Sequence, residues 1–346
     1  MARMDVTVRG AGIFGLSVAW ACLEKGARVR VIDPKGVGGG ASGGIVGALA
    51  PHVPENWNEK KEFQFQSLIA AEDFWKNVGN WAEIETGYAR TGRVQPLADE
   101  AAVALARARA ESAKELWRGA AQWQVVSGDA LNGPLPESAT GLYIFDTLSA
   151  RMFPRQACKA LAAAVVARGG EMAADGAEAG QTVWATGVHD LLRLSQHFGK
   201  PVGNAVKGQG ALLAFDMRDA PQIFANTVHI VPHWNGTVAI GSTSERAFDD
   251  ASSTDGQLEA VLEKAYTAVP ALRAARVIER WAGLRPRTKS RAPMLGHHPL
   301  QEGAYIANGG FKIGFGMAVE VGRVMAALVL DGTDTIPAEF APEASL

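Results

Sequence analysis

The chain has 346 residues, is 47% hydrophobic and carries a formal charge of −2, with a pI near 6.4. That length and apolar content can bury two domains or one elaborate one, and no basic excess exists to neutralise a nucleic-acid backbone or an anionic membrane surface. No stretch reaches transmembrane length and no secretory apolar region precedes the first strand, so a cytoplasmic protein with small-molecule partners is expected.

In chain order, the apolar run Val6-Thr7-Val8 leads into the turn Gly10-Ala11-Gly12-Ile13-Phe14-Gly15. A helix-like segment from Leu16 to Lys25, a second apolar run from Ala27 to Ile32 and the acid Asp33 follow. Strand, glycine turn, helix, strand and carboxylate together describe a dinucleotide-binding βαβ unit. Gly10 permits the turn, Gly12 removes a side chain that would block a pyrophosphate, and Gly15 lets the helix lie close on the strand. Residues 36–52 are glycine-rich yet include Ile45, Val46 and Leu49, which look built to sink below a surface rather than to form a hydrophilic linker. Bare backbone at Gly43 and Gly44 suits the approach of a flat, wide ring, and Ser42 suits a phosphate or ribityl oxygen, so a flavin is favoured over a nicotinamide.

Residues 57–150 hold helix-like pieces, notably the alanine-rich stretch Glu100 to Trp123. Cys22 and Cys158 lie in helix-like segments without repeat spacing and read as core thiols. Val183-Trp184-Ala185-Thr186-Gly187 is a strand tip suited to lie beside the first glycine turn. Val206 to Phe215 and Gln222 to Ser242 alternate as strands do. His297-His298-Pro299 lacks a third ligand at metal spacing and reads as a turn, so no metal is expected. Finally a strand from Ala304 to Ala307 meets Asn308-Gly309-Gly310-Phe311-Lys312-Ile313-Gly314 and an apolar helix from about Met317 to Leu330. The start of that helix offers amides and a positive dipole end to negative charge, and Lys312 either adds a full charge there or is a solvated lysine.

These segments, with Val206-Lys207-Gly208-Gln209-Gly210, His229-Ile230-Val231-Pro232, Ile240-Gly241-Ser242-Thr243-Ser244-Glu245 and Trp281-Ala282-Gly283-Leu284-Arg285-Pro286, are collinear along nearly the whole chain. In order and spacing the chain resembles the D-amino acid oxidase superfamily, in its glycine oxidase-like branch. The resemblance implies an α/β protein whose Rossmann-type FAD-binding domain is assembled from residues 1–56, 140–205 and 284–346. A substrate domain with a mixed or antiparallel sheet would come from residues 57–139 and 206–283. It implies FAD contacts at Gly10, Gly12, Ile13, Phe14, Gly15, Asp33, Pro34, Ala41, Ser42, Gly43, Gly44, Ile45, Ala185, Thr186, Gly187, Gly309, Gly310, Phe311, Ile313 and Gly314. Arg285 would bind the substrate carboxylate as a bidentate guanidinium, against the plainer reading of a structural ion pair. The implied reaction oxidises the C–N bond of a small amino acid or amine of the glycine, sarcosine or D-amino acid class by hydride transfer to flavin N5. The imine formed then hydrolyses, and electrons pass to oxygen or to a carrier.

Several positions depart from that pattern. His229 stands where the branch tends to carry a tyrosine, and reads equally as a pocket residue or a structural histidine. Phe311 and Lys312 replace a histidine or tyrosine followed by arginine. Arg285, Arg287, Lys289 and Arg291 form either a positive rim suited to a doubly anionic substrate or a solvated face. Only a short segment, residues 170–180, precedes the Val183 strand, which trims the adenine side. Covalent flavin attachment through cysteine is not expected; a histidyl link and homo-oligomerisation stay open. Two rival readings are a flavin domain acting on carboxymethylaminomethyl-modified transfer RNA, which the missing basic surface disfavours, and a non-catalytic flavin-binding subunit of an amine dehydrogenase complex.

Overall fold

A computed structural model describes residues 5–346; residues 1–4, the first of the stretch expected to open the FAD-binding domain, lie outside the described residues. The first strand, Asp5–Arg9, buries Val6, Thr7 and Val8 in succession. Consecutive burial means that both faces of the strand are covered, as in a parallel sheet layered with helices. Its sheet has six strands in the order Met294–His297, Ala304–Asn308, Gln181–Trp184, Asp5–Arg9, Arg28–Ile32 and Glu171–Ala173. All neighbours are parallel except the outermost Met294–His297, which returns antiparallel. One face buries the helices Ile13–Glu24, Gly314–Asp331, Glu59–Ala82 and Pro154–Ala167 in a single apolar cluster that includes both cysteines. On the other face Leu191 and Leu194 of the helix Val188–Phe198 pack against Met294 and Ile306.

The first helix begins earlier than the expected Leu16, at Ile13, because extended Gly12 serves as its N-cap. The alanine-rich helix is shorter than expected. It spans Glu100–Leu116, reverses through Arg118 and Gly119 in the left-handed region, and leaves Trp123 to open a strand, Trp123–Ser127. Gln222 to Ser242 divides into three strands, Gln222–Ala225, Val228–Pro232 and Thr237–Gly241, with Asn226 and Thr227 turning the first pair at positive φ.

These strands belong to a second, eight-stranded sheet in the order Arg276–Thr288, Gly203–Ala214, Thr237–Gly241, Val228–Pro232, Gln222–Ala225, Arg93–Pro96, Leu142–Asp146 and Trp123–Ser127. It is antiparallel apart from the parallel pairing of Gln222–Ala225 with Arg93–Pro96. Apolar residues of the helix Gly256–Ala268 cover one face. The long strand Arg276–Thr288 runs across the boundary expected at residue 284, and Leu142–Asp146 pairs in this sheet rather than in the six-stranded one. A small pair, Gly47–Leu49 with Ala150–Met152, anchors the end of the glycine-rich loop. The trimmed segment contributes only Glu171–Ala173 to the sheet edge, where Ala173 O accepts from Asp33 N at 3.0 Å.

Candidate active site

A cavity of about 1140 Å³ runs from the first glycine turn to the face of the eight-stranded sheet. At its first end, Gly10 adopts φ +114, where a Cβ would collide with the carbonyl of Ala185. Ala185 N in turn donates to Arg9 O at 2.7 Å, which holds the Trp184 to Gly187 strand tip against the turn. Asp33 accepts from Ala11 N at 2.8 Å and from Lys35 N at 2.9 Å, which pins its carboxylate at the cavity mouth. Ser42 accepts from Ile13 N at 3.0 Å, so the hydroxyl expected to meet a ligand oxygen lies against the helix start.

Two helices present their N-termini to this one cavity. Gly12, Ile13 and Phe14 begin one and Gly314, Phe315 and Gly316 the other; neither N-cap residue supplies a side-chain cap, and Ser42 takes only the Ile13 amide. Free amides and the positive ends of two helix dipoles thus face the same space. Of the expected cofactor positions, Pro34, Ala41, Gly43, Gly44, Ala185, Thr186, Gly187, Gly309, Gly310 and Phe311 also line it. Three do not. Ile45 is fully buried against Leu212, Val231 and Ala239, Gly15 lies below the turn against Gly10, and Ile313 packs into the helix layer. Each supports the wall from behind: Ile45 and Ile313 gain more from the core than from a polar ligand, and Gly15, where a Cβ would meet Gly10 O, lets the helix close on the turn.

At the far end stand His229, Arg285 and Lys312. Arg285 has no acid partner among the described residues; its Nη1 donates to Thr243 O at 3.2 Å. The guanidinium lies over Gly208, where a Cβ would overlap it. Burial pulls its pKa down to about 10, with the Glu245 carboxylate acting against that fall. Glu245 is buried and accepts from Gln209 Nε2 at 2.9 Å and from Thr243 Oγ1, so a polar network backs the strand that carries the guanidinium contact. His229 lies beside Phe224, ring centroids 4.7 Å apart, and its buried Nδ1 has no partner. Burial, then the charges of Arg93 and Lys312, pushes His229 down to about 3 and keeps it neutral. Burial also lowers Lys312, followed by repulsion from Arg285 and Arg287.

The rim arginines separate. Arg287 lies over the Phe311 ring at 5.3 Å, whereas Lys289 and Arg291 are exposed. His298 is buried beside Asp190, 3.5 Å from its carboxylate, and accepts from Leu300 N at 3.1 Å, while the neighbouring His297 is exposed.

Trp184, Phe224, Thr227, Ser242, Ser252 and Trp281 line the cavity without having been named as site residues from sequence, although Trp184, Ser242 and Trp281 stand in the quoted motifs. For two of them a signal was available. Trp281 and Gly283 share the face of Arg285 at period two, and Phe224 sits directly opposite His229 in its hairpin. The buried Trp184 Nε1 and Thr186 Oγ1 have no hydrogen-bond partner among the described residues. A long cavity with an acid at one end, two helix N-termini along it and orphaned polar atoms on its wall fits an extended dinucleotide carrying a flat ring.

The DAO family model, described as FAD dependent oxidoreductase, matches residues 5–328. The chain is 25% identical over 370 residues to the glycine oxidase of Geobacillus kaustophilus (strain HTA426), covering 94% of this chain and 93% of that protein. In structure it superposes on a glycine oxidase from Geobacillus kaustophilus with a TM-score of 0.83 at 21% identity, over 99% of this chain and 98% of the other. It also superposes on the iminodiacetate oxidase IdaA from Chelativorans sp. BNC1 with a TM-score of 0.82 at 22% identity, over 97% and 98%. No helix among the described residues is long and apolar enough to cross a membrane. With a family match that spans nearly the whole chain over a cavity shaped for its cofactor, the protein belongs to the DAO family of FAD-dependent oxidoreductases, enzymes that act on amino acids and amines.

Proposed function

We propose that the protein oxidises the C–N bond of a small amino acid or amine, of the glycine, sarcosine or D-amino acid class. The observation that carries this reading is Arg285, a guanidinium without an acid partner among the described residues, at the cavity end opposite the Asp33 turn. A planar fork in that position takes a carboxylate in two parallel hydrogen bonds and fixes the substrate's orientation, which is most of what such a reaction requires from protein. The names of the relatives, glycine oxidase and iminodiacetate oxidase, each describe an amine beside a carboxylate and support the same class.

FAD, when bound, supplies the acceptor for the substrate's hydride. The amides of Gly12 and Phe14 would hold its phosphates, Asp33 a ribose, and the Gly43-Gly44 backbone with the Gly309 to Gly314 segment its ring. With its pKa pushed down to about 3, neutral His229 is too weak a base to take the amine's proton, so the amine must arrive neutral or lose its proton to water. The two unpaired cations, Arg285 and Lys312, favour that loss by raising the local positive potential. The imine product leaves for water and hydrolyses there. Electrons pass on to oxygen or to a carrier.

The test is anaerobic addition of glycine, sarcosine, proline and a panel of D-amino acids to the purified yellow protein. Bleaching of the flavin band is expected with at least one of them. Arg285→Glu should keep its flavin and lose carboxylate-dependent bleaching by at least 100-fold; equal turnover in that variant removes the anchoring role. A protein reduced by none of these compounds abandons the proposed activity.

A further inference from the structure

Of the buried cations among the described residues, Arg93 meets Asp146 at 3.0 Å and Lys207 lies between Glu245 and Asp255 at 3.8 and 3.5 Å, while Arg151 donates to Pro232 O at 3.4 Å; half-buried Arg155 meets Glu279 at 2.7 Å. The substrate end of the cavity gathers cations without acids. Arg285 and Lys312 both line it, and neither has an acid partner among the described residues. Among the described residues Asp33 is the only acid on the cavity lining, and its carboxylate is held at the other end by Ala11 N and Lys35 N. Glu245, the carboxylate nearest in influence to Arg285, is committed to Gln209, Thr243 and Lys207.

A third cation stands behind these two. The Phe311 ring, itself on the cavity wall and held at φ +43, carries Arg287 at 5.3 Å and Lys312 at 5.8 Å from its centroid. An aromatic face eases the crowding of two cations but does not neutralise either. Arg285 and Arg287 extend from the same face of one strand, so the positive charge is built into the sheet rather than gathered by mobile side chains. A monocarboxylate held in two parallel hydrogen bonds by Arg285 has both oxygens engaged there. Lys312, exposed to the cavity, is then covered by the ligand without a counter-ion, which costs more than pairing it.

Resting on the amine-oxidising reading above, we infer that the preferred substrate carries two carboxylates, one held by Arg285 and the second by Lys312. The reacting amine lies between the two anchors, and a substrate with a single carboxylate leaves Lys312 without a counter-ion. The charge balance of the site is thereby a selectivity device. It rewards a second anion by Coulomb attraction and gives nothing comparable to an apolar side chain of the same size.

The experiment is a binding titration of the flavin-loaded protein with unreactive probes, followed by calorimetry and by perturbation of the flavin absorption band. Malonate and succinate are compared with acetate and propionate at constant ionic strength. The expected result is at least tenfold tighter binding of the better dicarboxylate. Lys312→Met should reduce that ratio below threefold, and Lys312→Arg should restore it, which separates a lost charge from a disturbed fold. Equal affinities in the wild type overturn the inference. So does a tenfold ratio that persists in Lys312→Met, the result expected if this ammonium faces the flavin instead. The two proposals fail separately. A protein bleached by sarcosine but indifferent to the second carboxylate keeps the proposed function and loses the inference, whereas one that prefers dicarboxylates but is bleached by no amine does the reverse.

Discussion

Gly208 has no side chain because the Arg285 guanidinium occupies the space above it. The glycine is therefore part of the anchor, and Gly208→Ala should push the guanidinium off the strand while leaving the flavin end alone. The expected outcome is a KM for the best carboxylate substrate raised at least tenfold with flavin content unchanged, read by steady-state kinetics beside the absorption spectrum. A buried histidine governs a different property. His233 donates from Nε2 to Ile45 O at 3.0 Å and stacks on Phe153 at 4.4 Å, so it supports the glycine loop from below. Burial holds its pKa at about 4, below the ordinary 6.5. The folded state then binds fewer protons than the unfolded chain between those values, so stability falls as pH drops through 6.5 and stops falling for this group near 4. One such proton contributes a slope of at most roughly 1.4 kcal/mol per pH unit. His233→Gln keeps a donor but cannot titrate, and urea unfolding at pH 5 and 7.5 should show a smaller acid loss than in the wild type. An unchanged loss would assign the slope to other groups.

At the scale of elements, the decisive unit is the pair of helices Ile13–Glu24 and Gly314–Asp331. They run side by side in the same direction, both N-termini at the cavity, with Lys25 and Asp331 joined at 2.6 Å near their far ends. Close approach depends on Gly322, where a Cβ would come within 2.6 Å of Ser17 O. Gly322→Ala must therefore part the helices by a few tenths of an ångström or more. The expected cost is about 1–3 kcal/mol, as for other overpacked contacts, seen as a lower urea midpoint at constant slope. Because both helix starts face the ligand, flavin retention through gel filtration should also fall. A variant that is destabilised yet holds FAD as well as the wild type would separate packing from cofactor binding. The glycine turn, the helix after it and the final apolar helix were legible in the sequence, since turn chemistry and helical periodicity are local. The end of the alanine-rich helix was not. Its composition favours continuation past Leu116, and the chain reverses at Arg118 and Gly119 because Trp117 and Trp123 pack on each other, ring centroids 6.0 Å apart, in the core.

For the whole molecule, the cavity lies where the two sheets meet, with walls contributed from residue 9 to residue 316. A ligand that bridges such a cavity stabilises every element it touches, in proportion to how far its concentration exceeds its Kd. At 100 times Kd that is about 2.7 kcal/mol. Stripping FAD should accordingly lower Tm by several degrees and increase proteolysis in the glycine-rich loop of residues 36–47. Scanning fluorimetry and limited digestion of holo and apo protein check both, and an unchanged Tm would mean that the sheets hold together without the cofactor.

By itself the sequence determined the βαβ unit, the ring-tolerant glycine loop, the two helix starts and the family resemblance, because each is written in residues close together along the chain. Tertiary structure alone decided what Arg285 rests on, what Lys312 lacks and that Trp184 and Ser252 reach the same wall. Those facts depend on the strand Gly203–Ala214 pairing with Arg276–Thr288, which sets Gly208 opposite Gly283. A pairing between segments so far apart in the chain leaves no periodic mark in either strand. The register comes from the packing of both sheets and, with it, the place of every charge at the substrate end.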